Sequence, residues 1–421
     1  MKSLVLWVGF SGLLLASSGA EDLTGLSAGQ LNARGLAFFD QRQYRDAEKA
    51  YRASLEAWGR LGDRFAASRS ITAGNLGTLL WMEGRYNEAE PLLLDRMRQT
   101  EAEGGMSPDA ATAATTLAAL YHAWGRFDQA EAFAIQAETA LRSLPGHTEE
   151  RLANRRMLAS ILLSEGRYQE GEPLMRGLLA DLPPRLAVAA YNDLAAAEMW
   201  QQRPGEAEPL ATRALELARQ SLPPDHPLLA VALNNLAQAE RFLGRYLEAE
   251  RNYREAIDVW GRPPGPQRPD LAKGLMNLAA FYHERGRESG AEDLYRKAMP
   301  ILERAYGRNN PLTLVAQNEL GEVLRAEHRY SESERVSKST LAALEAAIGQ
   351  PDPRVIRALD NYARLLEDTR RAREATAVRG RIQSMAVSLE KLEEGTTGSA
   401  SAGGGPENAA RHGADRRPGV R

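Results

Sequence analysis

The feature that most constrains this chain is a short motif that returns at an almost fixed interval. Gly84-Arg85-Tyr86-Asn87-Glu88-Ala89-Glu90 matches Gly125-Arg126-Phe127-Asp128-Gln129-Ala130-Glu131, Gly166-Arg167-Tyr168-Gln169-Glu170-Gly171-Glu172 and Gly244-Arg245-Tyr246-Leu247-Glu248-Ala249-Glu250. Its small residue recurs at Ala47, Ala89, Ala130, Gly171, Ala207, Ala249, Ala291, Ser333 and Ala375, and subtraction gives steps of 42, 41, 41, 36, 42, 42, 42 and 42 residues. A period of this size marks an array of supersecondary units, each of which buries its apolar face only against its neighbours. At 421 residues the chain is too long for one ordinary core, and an open-ended array meets that constraint.

Prolines keep the same step. Pro227, Pro269, Pro311 and Pro353 each open a segment of helical apolar periodicity, and Pro108 opens an earlier one. Proline suits a first helical position because its φ is already fixed and its missing N–H would be unpaired there. After Pro227, residues Leu229, Val231, Leu233, Leu236 and Ala237 make a first amphipathic helix, which Gly244 ends by its access to left-handed backbone. Tyr246 opens a second helix with Ala249, Tyr253, Ala256 and Ile257 on one face. The pair crosses closely at Ala237 and Ala249, and Gly77, Ala118, Ala159, Ala195, Ala279, Gly321 and Ala363 match Ala237 elsewhere. The fold class expected is all-α, an α-α superhelix of about nine helix-turn-helix repeats. The short step across Asp181-Leu182-Pro183-Pro184 implies a bend or a shorter loop.

Leu236-Ala237 before the turn, Gly244-Arg245-Tyr246 at it, and Ala249-Glu250, Tyr253 and Ala256 after it resemble the tetratricopeptide (TPR) signature. The 42-residue step, the Asp225-His226-Pro227 opening and Leu233-Asn234-Asn235-Leu236-Ala237 resemble the kinesin light chain subtype. The turn aromatic is replaced by Pro204 in the fifth unit and Glu288 in the seventh, and the ninth, around Ala372 and Ala375, matches poorly. The resemblance implies a scaffold that binds protein or peptide ligands in the concave groove, shared as a binding mode and not as a ligand.

The ends of the chain read differently. Lys2, an apolar run from Leu4 to Leu15, and Ala16-Ser17-Ser18-Gly19-Ala20 ahead of Glu21-Asp22 form a secretory signal peptide, residues 1–20, cleaved after Ala20. The alternative is an uncleaved anchor, for which the run is shorter than the roughly 20 apolar residues a span needs. The array is expected over residues 24–390 and a disordered low-complexity tail over 391–421, rich in glycine and ending on Arg411, Arg416, Arg417 and Arg421. These readings make the protein exported and periplasmic or secreted, with no stable membrane insertion after cleavage.

Composition narrows the chemistry. The absence of cysteine removes disulfides, thiolate metal sites and a cysteine nucleophile. A formal net charge of -3 gives no reason to expect nucleic acid. Gly25-Leu26-Ser27-Ala28-Gly29 matches a serine-hydrolase string but has no strand before it, so Ser27 is read as the N-cap of the first helix. The six histidines lie at no helical spacing that would bind metal, and the glutamates of the second helices are read as solvated faces. No enzyme activity, cofactor or metal is expected.

Specificity is expected on the first helices, which line the concave side of such a coil. Asn75, Asn192, Asn234, Asn235, Asn277, Asn318 and Asn361 recur there, and a ladder of carboxamides can hold an extended backbone through both donor and acceptor. Asparagines at the matching place contact bound peptide in the resembled family. Arg241, Tyr282 and His283 complete the candidate groove. The alternative is that the asparagines tie repeat to repeat. Two other roles stay open: self-association into a structural assembly, or an accessory subunit of an envelope complex.

Overall fold

A computed structural model describes residues 27–401 other than 42, 103, 105, 106, 143, 263–268, 349 and 350. The segment read as a signal peptide and residues 402–421 of the tail lie outside the described residues. The described residues form eighteen α-helices, one short 3₁₀ turn and no strand. They pair as unit 1, α1 (Ala28–Asp40) and α2 (Tyr44–Leu61); unit 2, α3 (Ala66–Met82) and α4 (Tyr86–Ala102); unit 3, α5 (Pro108–Trp124) and α6 (Phe127–Arg142). Unit 4 is α7 (Thr148–Ser164) and α8 (Tyr168–Leu178), unit 5 α9 (Pro184–Trp200) and α10 (Pro204–Ser221), and unit 6 α11 (Pro227–Phe242) and α12 (Tyr246–Gly261). Unit 7 is α13 (Pro269–Glu284) and α14 (Glu288–Tyr306), unit 8 α15 (Pro311–Ala326) and α16 (Tyr330–Ile348), and unit 9 α17 (Pro353–Asp368) and α18 (Ala372–Ser401).

Local chemistry sets these boundaries. Ser27 caps α1 in a reciprocal box with Gln30, as the sequence suggested. At four of the helices that a proline opens, the residue before the proline accepts from a free N–H of the first turn: Ser107 Oγ from Ala110, His226 Nδ1 from Leu228, Asn310 Oδ1 from Leu312 and Asp352 Oδ1 from Arg354. In units 2 to 9 the intra-unit turn passes through one left-handed residue. Glycine supplies it at Gly84, Gly125, Gly166, Gly244 and Gly286, but Gln202 (φ 58°), His328 (φ 62°) and Arg370 (φ 60°) adopt it with a side chain.

The small residues of the motif are buried where the paired helices cross. A Cβ on Gly77 would lie 2.8 Å from Leu93 Cγ, and one on Gly171 would lie 2.9 Å from Leu163 Cγ. The first helix of every unit also touches the first helix of the next, whereas the second helices of successive units barely meet. The first helices therefore form the inner wall. The irregular step falls on α8, which has 11 residues, and α9 packs more on α7 than on α8. At the other end α18 runs from Ala372 to Ser401, past residue 390, where the array was expected to end.

A second periodic bond joins the units, and the sequence reading missed it. The turn arginine of each unit reaches the motif glutamate of the unit before: Arg85–Glu48 at 2.8 Å, Arg126–Glu90 at 3.1 Å, Arg167–Glu131 at 2.9 Å and Arg203–Glu172 at 3.0 Å. The series continues with Arg245–Glu208 at 2.5 Å, Arg287–Glu250 at 2.9 Å, Arg329–Glu292 at 2.7 Å and Arg371–Glu334 at 2.6 Å. These glutamates were expected on solvated faces; the structure makes them one carboxylate of each rung between neighbouring units.

The coil also meets itself. Five units on, α14 packs against α4: the Tyr306 ring lies 5.5 Å from that of Tyr86, and its hydroxyl donates to the Ala123 carbonyl at 3.4 Å. One core runs without a break through this contact.

Candidate functional site

Closure of the turn encloses a lumen of about 650 Å³. One wall is the C-terminal ends of α3, α5, α7 and α9, carrying Trp81, His122, Trp124, Ser164, Asp193 and Trp200. The facing wall is the N-terminal ends of α13, α15 and α17, with Asp270, Lys273, Asn310 and Arg354, and Tyr306 from the end of α14. An open cleft continues from it past Gly125, Phe127 and Ser164.

The lumen is aromatic with a polar floor. Tyr86 packs against Trp124 at 5.9 Å between ring centroids, and the His122 ring lies 5.8 Å from that of Phe127. Trp200 leaves 55% of its surface open, a large apolar area in a concave wall. Arg156 donates to Asp193 at 2.8 Å, and His122 Nε2 shares a hydrogen bond with Ser164 Oγ at 2.9 Å. Burial lowers the His122 pKa to about 4, helped by Arg156 and Lys273, so the ring is neutral near pH 7. Burial raises the Asp193 carboxyl against the pull of Arg156. The Tyr306 oxygen, and then Asp270, hold the Lys273 ammonium above its ordinary value against desolvation. Lys273 is exposed and Asp193 half-buried.

None of the ten residues expected to form the groove lines this lumen. Asn75 donates to Asn32 Oδ1 and Asn277 to Asn234 Oδ1, each at 3.0 Å; Asn235 donates to the Asn192 carbonyl at 3.0 Å, and Asn192 to that of Leu228 at 3.2 Å. Asn192, Asn234, Asn235, Asn318 and Asn361 are buried. Asn75, Asn192, Asn235 and Asn277 thus bond the first helix of a neighbouring unit, and Asn318 and Asn361 are shut away from solvent. Arg241 pairs with Glu284 of the next unit. Tyr282, also buried, donates to Glu250 at 2.9 Å and carries Arg287 over its ring, and His283 bonds Glu288 at 2.6 Å. Among the described residues, His122 is the histidine that lines the lumen. Trp200 could have been found as a bulky residue closing a first helix where Ser164, Glu284 and Asp368 stand in other units.

A one-turn coil of stacked helix pairs with an internal, aromatic-walled concavity defines an α-helical repeat protein of the superhelical class. The TPR family model matches residues 27–102, 186–261 and 270–346, more than half of the chain, and a second TPR model matches 234–301. The chain belongs to the tetratricopeptide repeat family. Its structure is similar to a Rap protein complexed with Competence and Sporulation Factor, at 13% identity over 85% of this chain and 99% of that one (TM-score 0.52). It is similar to a chain of the anaphase-promoting complex Cut9–Hcn1 hetero-tetramer at 14% identity, over 82% of this chain and 57% of that one (TM-score 0.53). A kinesin light chain protein of Podosopora anserina with nearly identical TPR-like repeats matches at 18% identity over 49% of this chain and 97% of that one (TM-score 0.42). No curated protein matches the chain.

Proposed function

We propose that the protein is a non-enzymatic scaffold that binds a peptide or an extended protein segment in the lumen of its coil. The observation that carries this reading is the lumen: about 650 Å³ of aromatic-walled space in which Trp200 stays 55% exposed. Concave, largely apolar sites with a few polar groups are where ligands bind, and exposed tryptophans act as anchors in them. The Rap structure, of the same fold, holds its factor in complex and offers a precedent. The non-enzymatic reading rests on the absence of any catalytic motif in the sequence. Export, to the periplasm or the exterior, rests on residues 1–20 alone.

The test is selection from a displayed peptide library followed by binding of the selected peptides to the wild type, Trp200→Ala and Leu247→Ala. Leu247 is 83% exposed and lies outside the lumen. Loss of binding in Trp200→Ala alone supports the reading, and equal binding by all three contradicts it. A second reading, self-association, is favoured by the exposed apolar cluster Phe242, Leu243, Tyr246 and Leu247 at the α11–α12 turn. Concentration-dependent mass in light scattering, abolished by Leu247→Asp, would support it.

A further inference from the structure

The repeats serve as one another's controls, and unit 6 departs from them at its turn. There Phe242 is 63% exposed, Leu243 41%, Tyr246 42% and Leu247 83%. The place of Leu247 is polar or glycine in every other unit, as at Asn87, Asp128, Ser289 and Ser331, and the place of Tyr246 is buried in unit 2 as Tyr86. The fold therefore does not require these exposed apolar groups, and four of them on one turn make a patch of the kind that a partner covers.

The charges beside the patch depart from the repeat as well. In units 2, 4, 8 and 9 the turn arginine bonds the glutamate three residues on: Arg85–Glu88 at 2.7 Å, Arg167–Glu170 at 2.9 Å, Arg329–Glu332 at 2.8 Å and Arg371–Glu374 at 2.7 Å. In unit 6 Arg245 goes to Glu208 instead, and exposed Glu248 has no ion pair among the described residues. Units 2, 4 and 8 also place a glutamate two residues before the turn arginine and bonded to it, Glu83, Glu165 and Glu327. Unit 7 has the opposite charge there. Arg285 is exposed, lies over the Tyr246 ring at 4.4 Å and holds no carboxylate among the described residues. The patch thus carries a free cation at its unit 7 edge and a free anion one residue beyond Leu247.

We infer that the α11–α12 turn is the contact face of a two-fold dimer, in which the apolar clusters of two copies meet and Arg285 of each copy pairs with Glu248 of the other. A two-fold contact joins the same patch on both subunits, so the patch must be complementary to itself. An apolar centre flanked by one free cation and one free anion meets that condition, whereas a patch of one sign would repel its own copy. An anionic bilayer is a poorer occupant, because exposed Glu248 and Glu284 would approach it together with the apolar groups. None of the residues of the patch lines the lumen, so the contact is separate from the proposed ligand site. The inference rests on the self-association reading and adds the face, the symmetry and the ion pair.

The test is analytical ultracentrifugation of the full chain and of charge-reversed variants, each first shown by circular dichroism to keep wild-type helicity. The wild type should form dimers with rising concentration and nothing larger. Arg285→Glu and Glu248→Arg should each weaken the dimer by at least about tenfold, because each brings like charges together twice per dimer. The double variant should restore it. An equimolar mixture of the two single variants should dimerise too, since one cross pair is then reversed in both members and the other is native. A wild type that stays monomeric at every concentration would remove self-association and this inference together, and Leu247-dependent binding of that monomer to anionic vesicles would assign the patch to a membrane. Dimers lost in Leu247→Asp but unaffected by either charge reversal would keep self-association and overturn the two-fold pairing. Assembly beyond dimers, or a mixture that stays monomeric, would overturn it likewise.

Discussion

Pro269 of unit 7 rests on Gly84 of unit 2, so closely that a Cβ on Gly84 would lie 2.6 Å from both the Cδ and Cγ of the proline ring. Gly84 is thus tied twice, by this contact and by φ 74°. Gly125 occupies the same turn position in unit 3 with φ 77° and nothing within 4 Å of its Cβ place. The two glycines separate backbone strain from contact between successive turns of the coil.

Gly125→Ala should cost about 1 kcal/mol, the strain of a left-handed alanine. Gly84→Ala should cost more than that, and it alone should part α4 from α14. Chemical denaturation gives the energies, and small-angle scattering should show a larger radius of gyration for Gly84→Ala only. Equal losses with unchanged radii would show that closure of the turn does not depend on this contact.

The converse exchange should stabilise. Arg370 is exposed and takes φ 60° at the same position in unit 9. Arg370→Gly should raise stability by about 0.5–1 kcal/mol, relief of strain partly offset by the greater freedom of glycine in the unfolded chain. A lower denaturation midpoint would contradict this.

The arginine ladder should act between units. Arg329 bonds Glu292 of the preceding unit as well as Glu327 and Glu332. Because its guanidinium is 34% exposed, water screens the pair, and Arg329→Met should cost only about 1 kcal/mol. A double-mutant cycle with Glu292→Gln should return a coupling of the same sign; zero coupling would reduce the rung to a surface contact.

Acid should expose two separate groups. Arg85 holds Glu88 below its ordinary value of 4.5, Arg329 holds Glu332 there, and Arg371 holds Glu374 there. Their contribution is complete above 4.5 and is lost as pH falls through the lower folded values. His122 acts earlier: the unfolded ring protonates near 6.5 while the folded ring waits until about 4, so stability falls as pH drops across that interval. Buried Glu198 and Glu240 and half-buried Asp193 and Glu319, raised by desolvation, oppose both trends. The comparison that isolates His122 is wild type against His122→Gln, which should flatten stability between pH 6.5 and 4.5; identical slopes would contradict the lowered pKa of the ring.

The units were legible in the sequence because each boundary is a local event. Pro227 fixes a helix start, Gly244 a turn, and Ala237 and Ala249 a crossing, and none of these depends on how the units are stacked. The rungs were legible in principle, since Arg329 and Glu292 keep the spacing of Arg85 and Glu48, but a glutamate on a second helix looks solvated until its neighbour is placed. The lumen was not legible. Which side chains enter it depends on the pitch of the whole coil, which brings Lys273 to His122 across four units. The asparagines were legible only in part for the same reason: periodicity puts Asn235 and Asn277 on the first helices, but only the stacking shows their amides bonded to the adjacent helix.

The central claim is that ligands enter the lumen and not the face that carries the asparagines. Its most direct measurement is the affinity of one library-selected peptide for Trp200→Ala and for Asn277→Ala, each first shown by circular dichroism to keep wild-type helicity. The account predicts at least about tenfold weaker binding to Trp200→Ala, the scale of a lost aromatic anchor, and near wild-type binding to Asn277→Ala. The opposite pattern, with Asn277→Ala weakened and Trp200→Ala unchanged, would contradict it and return the binding site to the asparagine face.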